Sequence, residues 1–186
     1  MHNSQRSIQA YIRAKDGNRP HLLEQAFATD AVLDMIVRTG SISFPAHVEG
    51  RAAIGDVLVS RFGQAFENIY TFCLGPPPAA DAQAFQCPWL VAMSDKASGE
   101  ARVGCGAYDW QFNPRSGLAE RLVITLEHMK TLPSADLPSV MAWVSRLEYP
   151  WCAVEAALGD VPGLGELEDV IRYLANAEHL RRGRRP

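Results

Sequence analysis

The sequence predicts an α+β fold, with helices at both ends of the chain and a run of long strands between them. In the first sixty residues, and again beyond residue 133, apolar side chains recur at offsets of three and four, the period of one helical face. Between about residues 68 and 129 the period changes to alternation. The breaks there carry turn chemistry: Pro76-Pro77-Pro78, Ser98-Gly99 and Asn113-Pro114-Arg115-Ser116-Gly117. Helices followed by an antiparallel run of strands place the helices together on one face of a sheet.

In chain order, Ile8, Tyr11 and Ile12 predict a first helix over residues 4–15, with Ser4 as N-cap and Asp16-Gly17-Asn18 as its stop. A second short helix follows Pro20 through Leu22, Leu23, Ala26 and Phe27. Residues 31–38 alternate as a strand, residues 45–50 form a loop, and residues 51–62 form a third helix with Ile54, Leu58 and Phe62 on one side. The long strands fall at residues 68–74, 85–94, 101–112 and 121–129. Beyond residue 133, Asp136 is placed to cap a helix through Val140, Met141, Val144 and Leu147. Residues 151–158 predict another short helix, and residues 164–181 the clearest of the three, acidic at its start and basic at its end.

Several strands are apolar on both sides. In residues 103–112, Tyr108, Trp110 and Phe112 oppose Val103, Cys105 and Ala107; in residues 121–129, Leu122, Ile124 and Leu126 oppose Val123 and Met129. A sheet open to water on one face alternates cleanly. The second face is therefore expected to be covered, either by another subunit or by the C-terminal segment.

Composition narrows the function. A net charge of −3 gives no global attraction to nucleic acid or to an anionic membrane, and no apolar run approaches the roughly 20 residues of a membrane-spanning helix. Arg181, Arg182, Arg184 and Arg185 form a short basic tail, expected to be solvated. Cys73, Cys87, Cys105 and Cys152 have neither zinc-site spacing nor the density of a disulfide framework, and read as buried free thiols. With a polar, charged start to the chain, the expected location is cytoplasmic. No phosphate loop, nucleophile elbow or metal-ligand cluster is present, so no cofactor is expected. Gly104 and Gly106 lie inside a strand, where they make room for a neighbouring group or a bend.

Two local motifs resemble those of the nuclear-transport-factor-2-like superfamily. Phe27-Ala28-Thr29-Asp30-Ala31-Val32 resembles its approach to the first strand, and Val48-Glu49-Gly50-Arg51-Ala52-Ala53-Ile54 its lead into the third helix. The resemblance covers roughly residues 5–131. It implies a cone: a strongly bent antiparallel sheet with the N-terminal helices on its concave face and an apolar pocket between them. Residues 1–132 would form that domain, and residues 133–186 a helical extension packed on it. The resemblance also implies a homodimer through the outer sheet face and a small apolar or aromatic ligand.

Steroid isomerases of this fold abstract a proton with a carboxylate base and stabilise the enolate with a tyrosine and a protonated acid. Carried over by position, Tyr11 matches the oxyanion tyrosine. The base position holds Met35, with Asp34 one residue earlier and so on the other face unless a bulge intervenes. The acid position falls at Tyr108. Asp34 lies in an apolar strand and must be paired or protonated, as a structural hub or as a catalytic acid. His128 shares its face, by alternation, with Leu122, Ile124 and Leu126, where an imidazole can act as a base. His47 is expected at the pocket mouth, with Tyr108, Trp110, Met35 and Phe62 lining the pocket.

Two readings stay open. One is a cofactor-free isomerase, cyclase or dehydratase using Asp34, His128 and Tyr11 on a hydrophobic substrate. The other is a non-catalytic ligand-binding or protein-interaction module. The first requires at least two ionisable groups converging on one cavity.

Overall fold

The structure, a computed structural model, describes residues 3–182 and the side chains of residues 3–177. The side chains of the four C-terminal arginines thus lie outside the described part.

Helix α1 (Ser4–Asp16) is capped by Asn3 rather than Ser4: the Asn3 side chain accepts from the Arg6 amide at 2.8 Å. The Ser4 hydroxyl instead donates to the Ala79 carbonyl at 2.9 Å. After a 3₁₀ turn at Pro20–Gln25, strand β1 runs over Phe27–Val37, beginning four residues before the alternation suggested. The expected loop at residues 45–50 contains a three-residue strand, β2 (His47–Glu49), paired antiparallel with β1.

The third expected helix is built of α2 (Arg51–Gly55), a π-helical turn at Asp56–Ser60 and α3 (Arg61–Ala65). Its Ile54, Leu58 and Phe62 are buried as the spacing predicts. The two motifs that carry the family resemblance touch each other. The Gly50 amide donates to the Ala31 carbonyl at 2.8 Å, and Arg51 Nη1 to the Phe27 carbonyl at 3.2 Å. Gly50 has φ +87°, a conformation that favours glycine.

Strands β3 (Phe66–Leu74), β4 (Ala84–Asp95), β5 (Ala101–Phe112) and β6 (Ala119–Leu132) pair antiparallel in sequence. Helix α4 (Leu137–Val144) follows a 3₁₀ turn, and Asp136 makes no side-chain cap at its start. Residues 151–158 divide into a short strand, β7 (Trp151–Cys152), and helix α5 (Val154–Gly159); α6 (Glu168–Arg182) ends the described chain. Among the described residues the strands form one seven-stranded sheet in the order β2-β1-β6-β5-β4-β3-β7. Two pairings in this sheet, β1 with β6 and β3 with β7, are parallel.

The sheet has a core on each side. On its inner face, α1, α2 and α3 pack on Phe27, Leu33, Trp110, Leu122 and Ile124. On its outer face, Phe72, Leu90, Val103 and Cys105 pack against Trp143, Val144, Val170 and Leu174 of the C-terminal helices. The Trp143 indole donates to the Ala157 carbonyl at 3.0 Å and ties α4 to α5. Of the two covers open to the two-sided strands, the chain's own C-terminus supplies this one. The cover is partial. Towards β1 the outer face stays accessible, and Ile36 is 45% exposed.

One irregularity sets the geometry of the site. Cys105 pairs with His128, but Gly106 pairs with Leu126, so β6 carries one extra residue at this bulge. A Cβ on Gly106 would lie 1.8 Å from the Thr125 carbonyl oxygen, so only glycine allows the strands this close. Beyond the bulge, the faces of β6 are exchanged.

Candidate functional site

The inner face holds a small cavity of about 40 Å³. Tyr11 and Lys15 enter it from α1, Met35 from β1, Leu58 and Phe62 from the third helical stretch, and Trp89, Tyr108, Ile124 and Met129 from the sheet. Ile42 and Phe44 join the lining from the segment between β1 and β2, as do Thr71, Val91 and Leu126 from the sheet. The space holds about two or three waters. A larger guest requires Met35, Met129 or Phe44 to shift, and methionine is the most adaptable of core side chains.

The polar groups on this lining are mostly donors. Tyr11 and Tyr108 meet edge to face at 6.0 Å between ring centroids, and burial raises both phenols far above the ordinary tyrosine range, so both stay neutral. The Trp89 ring stacks on Tyr108 at 5.6 Å between centroids. Its Nε1–H is buried and has no partner among the described residues, a cost normally avoided in a folded protein.

Lys15 is the group that a reading of the sequence missed. It is 8% exposed, its Nζ donates to Thr71 Oγ1 at 2.9 Å, and it lies 4.3 Å from the centre of the Phe62 ring. Asp16 Oδ1 is 3.6 Å from the same nitrogen. Thr71 binds Asp16 twice, through its hydroxyl and its amide, each at 2.7 Å, and the Tyr149 hydroxyl donates to Asp16 at 3.1 Å. Burial lowers the Lys15 ammonium, opposed by Asp16, and burial raises Asp16, opposed by Lys15 and its donors. The two drifts meet: each moves the pair towards its neutral form. The signal was in the stripe, since Ile8, Tyr11, Ile12 and Lys15 follow offsets of three, four and seven along one helical face.

The structure does not gather the residues singled out from the sequence. Tyr11, Met35, Phe62 and Tyr108 line the cavity. Trp110 is fully buried beside it, edge-on to Tyr11 at 5.4 Å and stacked on Phe112, as core rather than lining. His128 is on the outer face, because the bulge ends its alternation with Leu122, Ile124 and Leu126. Its ring meets Tyr173 of α6 edge-on at 6.2 Å.

Asp34 is also on the outer face and is partly exposed, not buried in an apolar strand. It accepts from His47 Nδ1 at 2.7 Å and from Arg121 Nε and Nη2 at 2.9 and 2.7 Å; His47 Nε2 faces Glu49 at 3.0 Å. The hydrogen bond from His47, followed by Arg121, holds the Asp34 carboxyl below its usual range. Asp34, then Glu49, raises the His47 imidazole. His47 is thus part of a surface charge cluster on the far side of the sheet from the cavity, not a group at its mouth.

A larger hollow, an open cleft of about 570 Å³, lies on the outer face between Ile36, Val123, Ala107 and Pro88 and the α6 residues Tyr173 and Ala177. The carboxylate on its lining, Asp109, already accepts from Gln86 at 2.6 Å. Despite its size the cleft brings no set of ionisable groups to a common point among the described residues, and the inner cavity is the better candidate.

No family profile matches the sequence, and no curated protein matches it. Solved structures do match. One is a protein with a ketosteroid isomerase-like fold from Catenulispora acidiphila in complex with trimethylamine, 17% identical, TM-score 0.50, covering 63% of this chain and 82% of its own. Another is a computationally designed 17-OHP binder, 16% identical, TM-score 0.53, with 69% and 97% covered. A third is a hexachlorocyclohexane dehydrochlorinase, 12% identical, TM-score 0.52, with 69% and 85% covered. At these identities the likeness is one of fold.

Proposed function

From the nuclear transport factor 2-like fold that this chain has, we propose a small-molecule pocket protein whose site is the inner cavity. Its ligand is a small, mainly apolar molecule carrying a hydrogen-bond-accepting oxygen. The observation that carries this reading is the imbalance of the lining. Four residues that carry donors, Lys15, Tyr11, Tyr108 and Trp89, line one apolar space, and the buried Trp89 Nε1–H is unanswered. A ligand oxygen there removes the cost of a buried unpaired donor. That other proteins of this fold bind trimethylamine or 17-OHP supports a cone that takes small molecules.

Chemistry through Asp34 and His128 is not supported, because neither reaches the cavity that holds Tyr11. Met35 at the isomerase base position cannot abstract a proton. The ligand-binding reading therefore stands ahead of the isomerase, cyclase or dehydratase reading. A homodimer remains part of the proposal. The accessible outer strip around Ile36 is where a second copy fits, and light scattering of the wild type and Ile36→Lys tests it.

Binding is tested by comparing cyclopentanol with cyclopentane, which has the same ring but no oxygen. The alcohol is expected to raise Tm at saturation and to be retained in native mass spectrometry. Occupancy at 100 times Kd stabilises by about 2.7 kcal/mol, or about 5–10 °C for a chain of this size. Trp89→Phe is expected to abolish the difference between the two probes. Equal shifts from both, or none from either, refute the reading.

A further inference from the structure

We propose that Lys15 is an amine nucleophile that forms an imine with a small aldehyde or ketone held in the inner cavity. The inference rests on reading that cavity as the ligand site and adds a covalent activity to it. Three observations carry it. Lys15 lines a mainly apolar cavity, and its Nζ lies against two other lining residues, Thr71 and Phe62. A proton acceptor stands beside it, Asp16 Oδ1 at 3.6 Å, with the Thr71 hydroxyl bridging the two at 2.9 and 2.7 Å. A neutral hydroxyl, Tyr11, lies one helical turn away on the same face of α1 and lines the same cavity. Burial acts in the required direction on both members of the ion pair, favouring the free amine and the carboxylic acid.

The step balances without any further reagent. The ammonium proton passes to Asp16, directly or through Thr71, and leaves the nitrogen lone pair free. That pair attacks the carbonyl carbon, a C–N bond forms, and the carbonyl π pair moves to oxygen, which takes one N–H proton. The nitrogen then expels the hydroxyl; the C–O bond breaks and the leaving oxygen departs as water with the second N–H proton. The proton held by Asp16 returns to the imine nitrogen, restoring an ion pair. Tyr11 is placed to hydrogen-bond the oxygen as it becomes a leaving group. Lys15 is the reacting group, and Asp16 is the proton acceptor that serves it.

The chain has three lysines, which makes a site-resolved test simple. Lys130 is paired with Asp169, and Lys96 donates to the Gly63 carbonyl at 2.6 Å. The folded wild-type chain is treated with propanal and sodium cyanoborohydride from pH 7 to 9, and alkylation at each lysine is followed by peptide mass mapping. Lys15 is expected to react at least about tenfold faster than Lys96 and Lys130 at pH 7. Its rate should rise less steeply with pH than theirs. Asp16→Asn removes the charge that holds the Lys15 proton, so it is expected to flatten the Lys15 pH profile further and to leave Lys96 and Lys130 unchanged. A Lys15 that reacts no faster than the other two, or with the same pH slope, overturns the proposal. If cyclopentanol binds but Lys15 does not react, the imine inference fails and the binding reading survives; if neither occurs, both fail.

Discussion

Replacing Asp16 is predicted to cost far more stability than replacing Lys15, although the two form one ion pair. Both are buried, with Lys15 8% exposed and the Asp16 side chain 7%. Asp16→Ala removes the acceptor of three hydrogen bonds, two from Thr71 and one from Tyr149. It also strands the ammonium, which keeps only the Thr71 hydroxyl and the face of Phe62. Removing one partner of a buried pair costs about 3–5 kcal/mol. Lys15→Met leaves the carboxylate with its three donors, so its expected cost is about 0–2 kcal/mol. With Lys15 replaced as well, no ammonium is left stranded, and the double variant should fall short of the sum by about 1.5–3 kcal/mol. Urea unfolding followed by tryptophan fluorescence measures all four chains. Costs that add within about 0.5 kcal/mol, or a Lys15 variant less stable than the Asp16 variant, refute the assigned roles.

Three further outcomes follow from the geometry. By proton NMR, His47 should titrate above about 6.5, and its midpoint should fall in Asp34→Asn. The sign is set by the shifts: the His47 contribution is complete below about pH 6.5 and disappears as pH rises through its raised folded value. That of Asp34 is present above about pH 3.9 and disappears as pH falls through its lowered one. Gly106→Ala should be poorly soluble or lose more than about 3 kcal/mol, since its Cβ meets backbone at 1.8 Å. Gly104→Ala, whose closest neighbour is the flexible end of Met129 at 2.6 Å, should lose less, and equal melting temperatures would contradict the bulge. Trp143→Ala should cost about 3–5 kcal/mol and expose residues 133–177 to limited proteolysis before the rest of the chain; uniform cleavage speaks against a separate outer core.

The long strands, the helical stripe of Ile54, Leu58 and Phe62, and the opposed faces of residues 103–112 were legible because each is written in local periodicity. The two motifs at residues 27–32 and 48–54 were legible for a related reason: their contact with each other runs through backbone carbonyls, the Arg51 side chain and one glycine of positive φ. His128 was misplaced because alternation assumes an unbroken register, and a single extra residue at the bulge reverses every face beyond it. Asp34 was read as buried because its apolar neighbours in sequence point inward, while its partners, His47 and Arg121, come from two other strands. Lys15 was passed over because its charge hid its place in the stripe. The residue that makes its burial tolerable, Thr71, is 56 positions away. Local patterns show which face a residue occupies; they do not show what waits across the gap.

All eight residues at positions 87–94 of β4 are buried, with the inner helices against one side and the C-terminal helices against the other. A wall clamped from both sides cannot yield to a larger guest, nor accept a bulkier residue without disturbing a neighbour behind it. Freedom to change what the cavity admits therefore lies away from β4, with Met35, Met129 and the segment joining β1 to β2. There, residues 38–46 run outside regular structure and bring only Ile42 and Phe44 to the lining. A search for altered ligand preference should begin with those two side chains and leave β4 alone.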